Sequence, residues 1–363
     1  MNDRPGPATR RSSVLSAYIE LTKPRIIELL LITTIPAMFV AADGWPGLAA
    51  ILFALIGGTL SAGGANVINQ VYDGDIDRIM SRTRHRPIPT NRVSPAAATI
   101  YGLALGAAGF LVLWFGTTHL AGMLSLVAYG FYVLVYTMVL KRSSTQNIVI
   151  GGAAGAVPAL IGWSAVTGDL SIAAWVMFAI IFFWTPPHFW ALSIKYKDDY
   201  RAAGVPMFPV VAGRQATFSQ IQWYSLVTVG VTLLLVPTAG LGWVYAAMAV
   251  ASGIPMVIFP VRIRLGRLNP MRYFGYTNIY LATVFTAMMV DRLVLDGPVG
   301  GTAAWAVVGT ALVAMGLAGV VTVEAQPAVR VHDIHVMRHA GEVGVTLAFA
   351  VVLVVAVWRS ITG

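Results

Sequence analysis

The chain has no cysteine among its 363 residues. Disulfides, thiolate metal sites, cysteine nucleophiles and thioether cofactor attachment are therefore excluded together, and any metal must sit on oxygen or imidazole. Charge is almost as scarce, at 11% of residues, where soluble domains run at about 25%. With 57% hydrophobic residues and a mean hydropathy of +0.75, an ordinary soluble protein is excluded too. Length alone would suggest two or three soluble domains at about 150 residues each. The apolar runs instead approach the roughly 20 residues that cross a bilayer, so the expected fold is all-α, one polytopic transmembrane helical bundle.

Apolar segments fall near 26–43, 47–69, 95–115, 119–140, 148–166, 171–194, 218–237, 241–261 and 273–294, with two more near 303–323 and 342–358. This predicts an N-terminal arm over 1–25, a nine-helix membrane core over 26–297 and a two-span extension over 298–363. The arm has no small-residue cleavage site behind a short apolar core, so it does not read as a signal peptide. Its SSVLSAYIELTKPR segment suits the membrane interface. If the N-terminus is cytoplasmic, 20 of the 24 Lys and Arg residues fall in cytoplasmic segments of the nine-span core. The intervening DGWPG, GTTH, VTGD and AGLG loops hold none. That asymmetry is the positive-inside rule, and one misplaced span in the core would destroy it. The net charge of +9 is then chiefly an orientation signal and an anion-binding surface, with no nucleic acid implied.

Five of the fifteen acids occur in two connections on that face. In the first, NVINQVYDGDIDRIMSRTRHRPIPTNR, a continued helix puts Asn66, Asn69, Asp73 and Asp77 on one stripe and turns Asp75 away. Carboxylate and amide oxygens suit Mg²⁺, which takes one or two carboxylates and completes its shell with water and phosphate oxygens. Arg78, Arg82, Arg84 and Arg86 follow and can grip the same oxygens. A charged loop is usually only solvated, but this stripe begins inside an apolar segment, where Asn and Asp are costly and functional by default. The second connection, HFWALSIKYKDDYRAAGVPMFPVVAGR, carries Lys195, Lys197, Asp198 and Asp199 at the end of the sixth span. Spans two and six are four helices apart and both end on that face, places that a four-helix repeat would make equivalent, with a site expected between such halves, although the halves share no convincing identity. Two acidic clusters among cations make a clamp for a metal-bound diphosphate, and an allylic cation left behind would need a dry cavity with aromatic faces. Tyr72, Phe182, Phe183, Trp184, Phe189 and Trp190 lie near the clusters in sequence.

These residues resemble the UbiA superfamily of intramembrane prenyltransferases. Asn69-x-x-x-Asp73-x-x-x-Asp77 looks like its first aspartate-rich motif. Within it, LTKPR, DIDRIMSRTRHRP, YTMVLKRSSTQNIVIGGAAGAVPALIGW and FWTPPHFWALSIKYKDDYRAAGVPMFPVV resemble the protohaem IX farnesyltransferase family, over roughly residues 15–294. The final 66 residues have no counterpart. The resemblance implies Mg²⁺-dependent transfer of the farnesyl group of farnesyl diphosphate to a vinyl group of protohaem IX (haem B), with water added, giving haem O and diphosphate. It implies that Asn69, Asp73 and Asp77 bind Mg²⁺ and diphosphate, and that Asp198 completes the second cluster, with Asp199 as a further metal ligand. Lys195 joins the catalytic set, and Arg82, Arg86, Lys141 and Arg142 are the diphosphate contacts. A bacterial cell membrane is the implied setting, with a haem A synthase or oxidase-assembly proteins as pathway partners.

His188 and Trp190 are candidates for haem contact, and His188 has as alternative a bond to the backbone freed by Pro186 and Pro187. His85 reads as a loop residue and His119 as bland. His332, His335 and His339 could be read as a transition-metal site, though such segments are more often solvated. Two other functions remain open: a UbiA-type enzyme acting on an aromatic quinone or chlorophyll precursor, and a membrane transporter. The transporter expects acidic or polar residues near mid-membrane, which are nearly absent because the charges cluster at one face, with Glu28 in span one an exception.

Overall fold

A computed structural model describes residues 14–294. The two C-terminal spans, the three-histidine segment, most of the N-terminal arm and the side chain of Glu28 lie outside the described residues. Within them the chain is helical with no strand. Helices α1 (Val14–Thr22), α2 (Pro24–Ala41), α3 (Leu48–Tyr72), the short α4 (Gly74–Ile79) and α5 (Pro95–Gly116) come first. Then α6 (His119–Gly130) runs through a π-helical stretch, Phe131–Leu140, into α7 (Lys141–Ser143). Next are α8 (Asn147–Thr167), α9 (Ile172–Lys195), the short α10 (Lys197–Ala202) and α11 (Phe208–Val211). Last come α12 (Gly213–Leu233), running on as α13 (Leu235–Ala239), then α14 (Trp243–Arg264) and α15 (Pro270–Val294).

Seven rods are long and apolar enough to cross a membrane, beginning at Leu48, Pro95, His119, Asn147, Ile172, Gly213 and Trp243. The first and ninth expected spans coincide with α2 and α15, which are helical but outside that set of seven. Large apolar side chains such as Ile56, Ile100 and Phe115 stand exposed on the bundle's outside, as lipid contact requires. At one end the connections are tight and capped. The Ser94, Thr118 and Ser171 side chains accept the amides of Ala97, Ala121 and Ala174, the latter two at this end. At the other end the two acidic connections fold into structure of their own.

Helix α2 packs against α3, α8 and α15, and α8 and α9 pack side by side, which encloses a space between the two halves. The α3–α5 contact is close because glycines line it. A methyl group on Gly64 would lie 2.5 Å from the Gly102 carbonyl oxygen, and one on Gly109 2.5 Å from the Ser61 nitrogen. Such small-residue seams replace the hydrophobic effect, which lipid does not supply. Helix α1 exposes Val14, Leu15 and Ile19 and buries Ala17 and Leu21, the pattern of a helix lying in the interface plane. Its last carbonyls are held from α3: Gln70 donates to Leu21 O at 2.6 Å and Asn66 to Thr22 O at 3.2 Å.

The glycine seam sets a first prediction. Gly109→Val should cost about 1–3 kcal/mol through overpacking, read as a lowered midpoint of thermal unfolding in detergent. Gly275→Ala, where nothing lies within 4 Å of the added methyl, should leave the midpoint unchanged. Equal midpoints for the two variants would contradict the seam.

Candidate active site

The polar stripe forms as the sequence spacing predicts, although α3 ends at Tyr72. Helical bonding carries across the break, from Asp73 N to Asn69 O at 2.9 Å and from Asp77 N to Asp73 O at 2.8 Å. Asp73 and Asp77 therefore share a face and are 0% and 2% exposed, while Asp75 is turned out at 62%. Asn69 Nδ2 donates to Asp73 Oδ2 at 2.8 Å and to Thr137 Oγ1 at 3.1 Å.

Cations from separate segments meet these groups. Arg86 donates through one nitrogen to both oxygens of Asp77, at 3.0 and 2.8 Å. Lys141 pairs with Asp73 Oδ2. It is delivered by the π-helical stretch, where Lys141 N bonds Tyr136 O, five residues back. Arg142 clasps Asp75 at 2.7 and 2.8 Å and stands 3.9 Å from Asp73 Oδ1. Lys23 is the group that sequence reasoning missed. It sits in the left-handed region (φ 55°) between α1 and α2, and its Nζ donates to Asn69 Oδ1 at 2.8 Å. That conformation is costly for a lysine, as it is for Asp43 and Asn91, which also adopt it. Burial, reinforced by Arg86 and Lys141, holds its amine well below the usual lysine range. LTKPR was the available signal, but a cation beside a membrane helix reads as an orientation mark.

The two acidic connections meet. Ile76 and Met80 of the first pack with Tyr200, Val205 and Met207 of the second. Arg82 Nη2 lies 3.5 Å from the Tyr200 hydroxyl, and its guanidinium stands over the Tyr196 ring. Asp199 is the acid at the junction, accepting Ser81 N at 3.1 Å and Ser81 Oγ at 2.5 Å. Asp198 points to solvent, 89% exposed, and pairs with Arg201. Lys195 is exposed and lies over the Tyr196 ring. Among the described residues no three His, Asp or Glu side chains stand close enough to hold a metal by themselves.

Above the stripe lies a cavity of about 670 Å³. Its wall is largely aliphatic and aromatic, with Asn66 and Arg82 at the acidic end. Tyr129, Tyr132 and Tyr136 supply one aromatic side, and Trp184, Phe189 and Phe274 the other. Of the aromatics expected near the clusters, Trp184 and Phe189 line the cavity. Phe182 and Phe183 pack with the core beyond it, and Tyr72 stacks under Arg142. Trp190 requires a correction: it is 1% exposed, packs on Phe208 and Tyr224, and does not line the cavity. The helical turn that brings His188 to the cavity carries a residue two positions on to the opposite side. His188 does line it. His85 is exposed, and His119 stacks on Trp114.

A bundle of membrane helices around a largely apolar cavity, with buried carboxylates and clustered cations one turn and more beyond its Asn66 end, has the architecture of an intramembrane prenyltransferase. The chain belongs to the UbiA prenyltransferase family, whose model matches residues 30–274. It is 51% identical over 298 residues to protoheme IX farnesyltransferase 1 of Saccharopolyspora erythraea, covering 81% of this chain and 95% of that relative. A solved structure of digeranylgeranylglyceryl phosphate synthase, 17% identical, superposes with a TM-score of 0.65 over 78% of this chain and 99% of that one. A UbiA homolog from Archaeoglobus fulgidus bound to DMAPP and Mg²⁺, 16% identical, superposes with a TM-score of 0.55 over 76% and 100%. These two likenesses are of fold.

The Arg142 hydrogen bonds lower the Asp75 carboxyl from 3.8 to about 2. A lowered carboxylate pKa stabilises the folded state above the unfolded value, and that contribution is lost as pH falls from about 3.8 towards 2. Titration of the Asp75 side-chain carbon by NMR should place its midpoint near 2, and Arg142→Ala should return it to the ordinary carboxylate range. A midpoint unmoved in the variant would remove Arg142 as the cause.

Proposed function

We propose that this chain transfers the farnesyl group of farnesyl diphosphate to a vinyl group of protohaem IX, with addition of water, giving haem O and diphosphate. One observation carries the proposal: the buried Asn69–Asp73–Asp77 stripe, among clustered cations, continues along the helix from Asn66, which with Arg82 and His188 lines a largely apolar cavity. The haem acceptor is supported by the 51% identical relative, named for that acceptor.

The stripe fits Mg²⁺. Asp73 Oδ1 is buried and makes no hydrogen bond, so a carboxylate oxygen is left for a hard cation to complete. Asn69, Asp73 and Asp77 would hold the ion together with diphosphate oxygens, and Asp199 stands on the facing connection. Bound there, Mg²⁺ supplies positive charge to the departing diphosphate. Lys141, Arg142 and Arg86 are placed to neutralise what remains, and Arg82, whose Nε is buried without a partner, faces the same mouth. In this assignment Asp198 and Lys195, both turned to solvent, do not hold the ion.

The bond from farnesyl C1 to the diphosphate oxygen breaks, leaving an allylic cation. The vinyl π electrons form the new carbon–carbon bond from their terminal carbon, which moves the charge to the carbon beside the porphyrin. Water adds there and loses a proton. The aliphatic walls keep other water from the first cation, and the faces of Tyr132, Tyr136, Trp184 and Phe189 stabilise it. The basic-residue asymmetry supports a cytoplasmic acidic end and N-terminus in a bacterial cell membrane. Residues 26–297 form the catalytic core in this proposal, with 298–363 an appended pair of spans.

Membranes carrying the protein, given haem B, farnesyl diphosphate and Mg²⁺, should yield a farnesylated, hydrated haem by mass. Asp73→Ala should lower the rate at least 100-fold, the scale of losing one transition-state charge partner, while the folded bundle persists. Prenylation of an aromatic acid in place of haem would move the assignment to the quinone-type enzymes, and full activity of Asp73→Ala would break the clamp.

A further inference from the structure

His188 is held in a way that a packing role does not require. Its ring lies between Trp184 and Phe274, with centroids 4.2 and 4.4 Å away and planes within 18° and 25° of parallel. Its Nδ1 lies 2.7 Å from Thr277 Oγ1 on α15. The expected structural partner, backbone freed by Pro186 and Pro187, is not the one it takes.

The direction of that bond can be deduced. Thr277 Oγ1 is also 2.7 Å from Phe274 O, and a carbonyl oxygen can only accept. Both contacts are hydrogen bonds together only when the single hydroxyl proton of Thr277 goes to Phe274 O, with the hydroxyl accepting from Nδ1, and that tautomer satisfies every group. A neutral imidazole with its proton on Nδ1 keeps a lone pair on Nε2. Among the described residues Nε2 has no hydrogen-bond partner. With both faces and the Nδ1 side covered, the accessible part of this cavity-lining ring is the edge that bears Nε2.

We propose that His188 ligates the iron of the haem substrate through Nε2, with Thr277 as the positioning residue that fixes the tautomer and the ring plane. The inference rests on the proposed function and names how its acceptor is gripped. Metal-binding histidines characteristically donate the other ring nitrogen to an oxygen acceptor, which orients the ring and raises its basicity. The aromatic sandwich adds rigidity, holding the edge towards the cavity. Iron ligation would fix the macrocycle at one point and present its periphery, where the vinyl groups lie, to the rest of the space. No proton is consumed in this step, and no redox change is needed.

The test is titration of ferric haem B into the purified, detergent-solubilised full chain, followed by absorption and EPR spectra. Wild type should give an imidazole-ligated spectrum. His188→Ala should lose that signature and bind haem at least tenfold more weakly, with added imidazole restoring the signature. Metal-free protoporphyrin should bind wild type and His188→Ala alike. Thr277→Val, which keeps the sandwich, should retain the signature with affinity lowered about tenfold, the low end for loss of such a supporting bond. An unchanged spectrum in His188→Ala, or equal losses of haem and metal-free porphyrin, would overturn the ligation. Farnesyl diphosphate and Mg²⁺ added to the same preparation separate the two claims. Turnover with an unchanged His188→Ala spectrum defeats the ligation alone, and an imidazole-ligated complex that never turns over defeats the proposed function alone.

Discussion

Two carboxylates buried at the end of a membrane bundle, Asp73 and Asp77, are the constraint on which the rest of the acidic end depends. A buried charge is tolerable only when paired and hydrogen-bonded. The pairing groups come from distant stretches: Lys23 from the α1–α2 turn, through Asn69, Arg86 from the connection after α4, and Lys141 from the end of the π-helical rod, with Arg142 3.9 Å from Asp73. Each carries its segment into place. Helix α1 is anchored across α3, the Arg86 connection folds over Asp77, and the π-helical stretch delivers Lys141 to Asp73. The site and the local fold are thus solutions to one electrostatic problem.

That solution leaves cations in excess around the acids, which suits an anion with several negative charges. In the proposed function the diphosphate end of the substrate lies there, with its apolar tail in the cavity behind. The glycine seam between α3 and α5 lets the stripe-bearing helix sit tightly against its neighbour. Opposite it, α9 and α15 bring Trp184, His188 and Phe274 together at the cavity wall.

The fold was largely legible in the sequence because the information is coarse and repeated: long apolar runs, and basic residues gathered at alternate connections. The stripe was legible because Asn69, Asp73 and Asp77 keep helical spacing across the break at Asp73. Other features were not. Asp198 and Asp199 are adjacent, so composition cannot say which turns inward, and the short α10 decides for Asp199. Trp190 and Phe189 differ by one helical step, enough to exchange core for cavity. Tyr129, Tyr132 and Tyr136 were overlooked because tyrosine in an apolar helix resembles an interface anchor. Lys23 looked like any basic residue beside a membrane until the turn that carries it was seen.

The central claim is that the Asn69–Asp73–Asp77 stripe holds a divalent cation jointly with a prenyl diphosphate. Mn²⁺ EPR of the purified protein with a non-cleavable farnesyl thiolodiphosphate tests it without turnover. The account expects a bound Mn²⁺ signal with coupling to phosphorus, present in wild type and in Asp198→Asn and lost in Asp73→Asn. A phosphorus-coupled signal that survives in Asp73→Asn would contradict it.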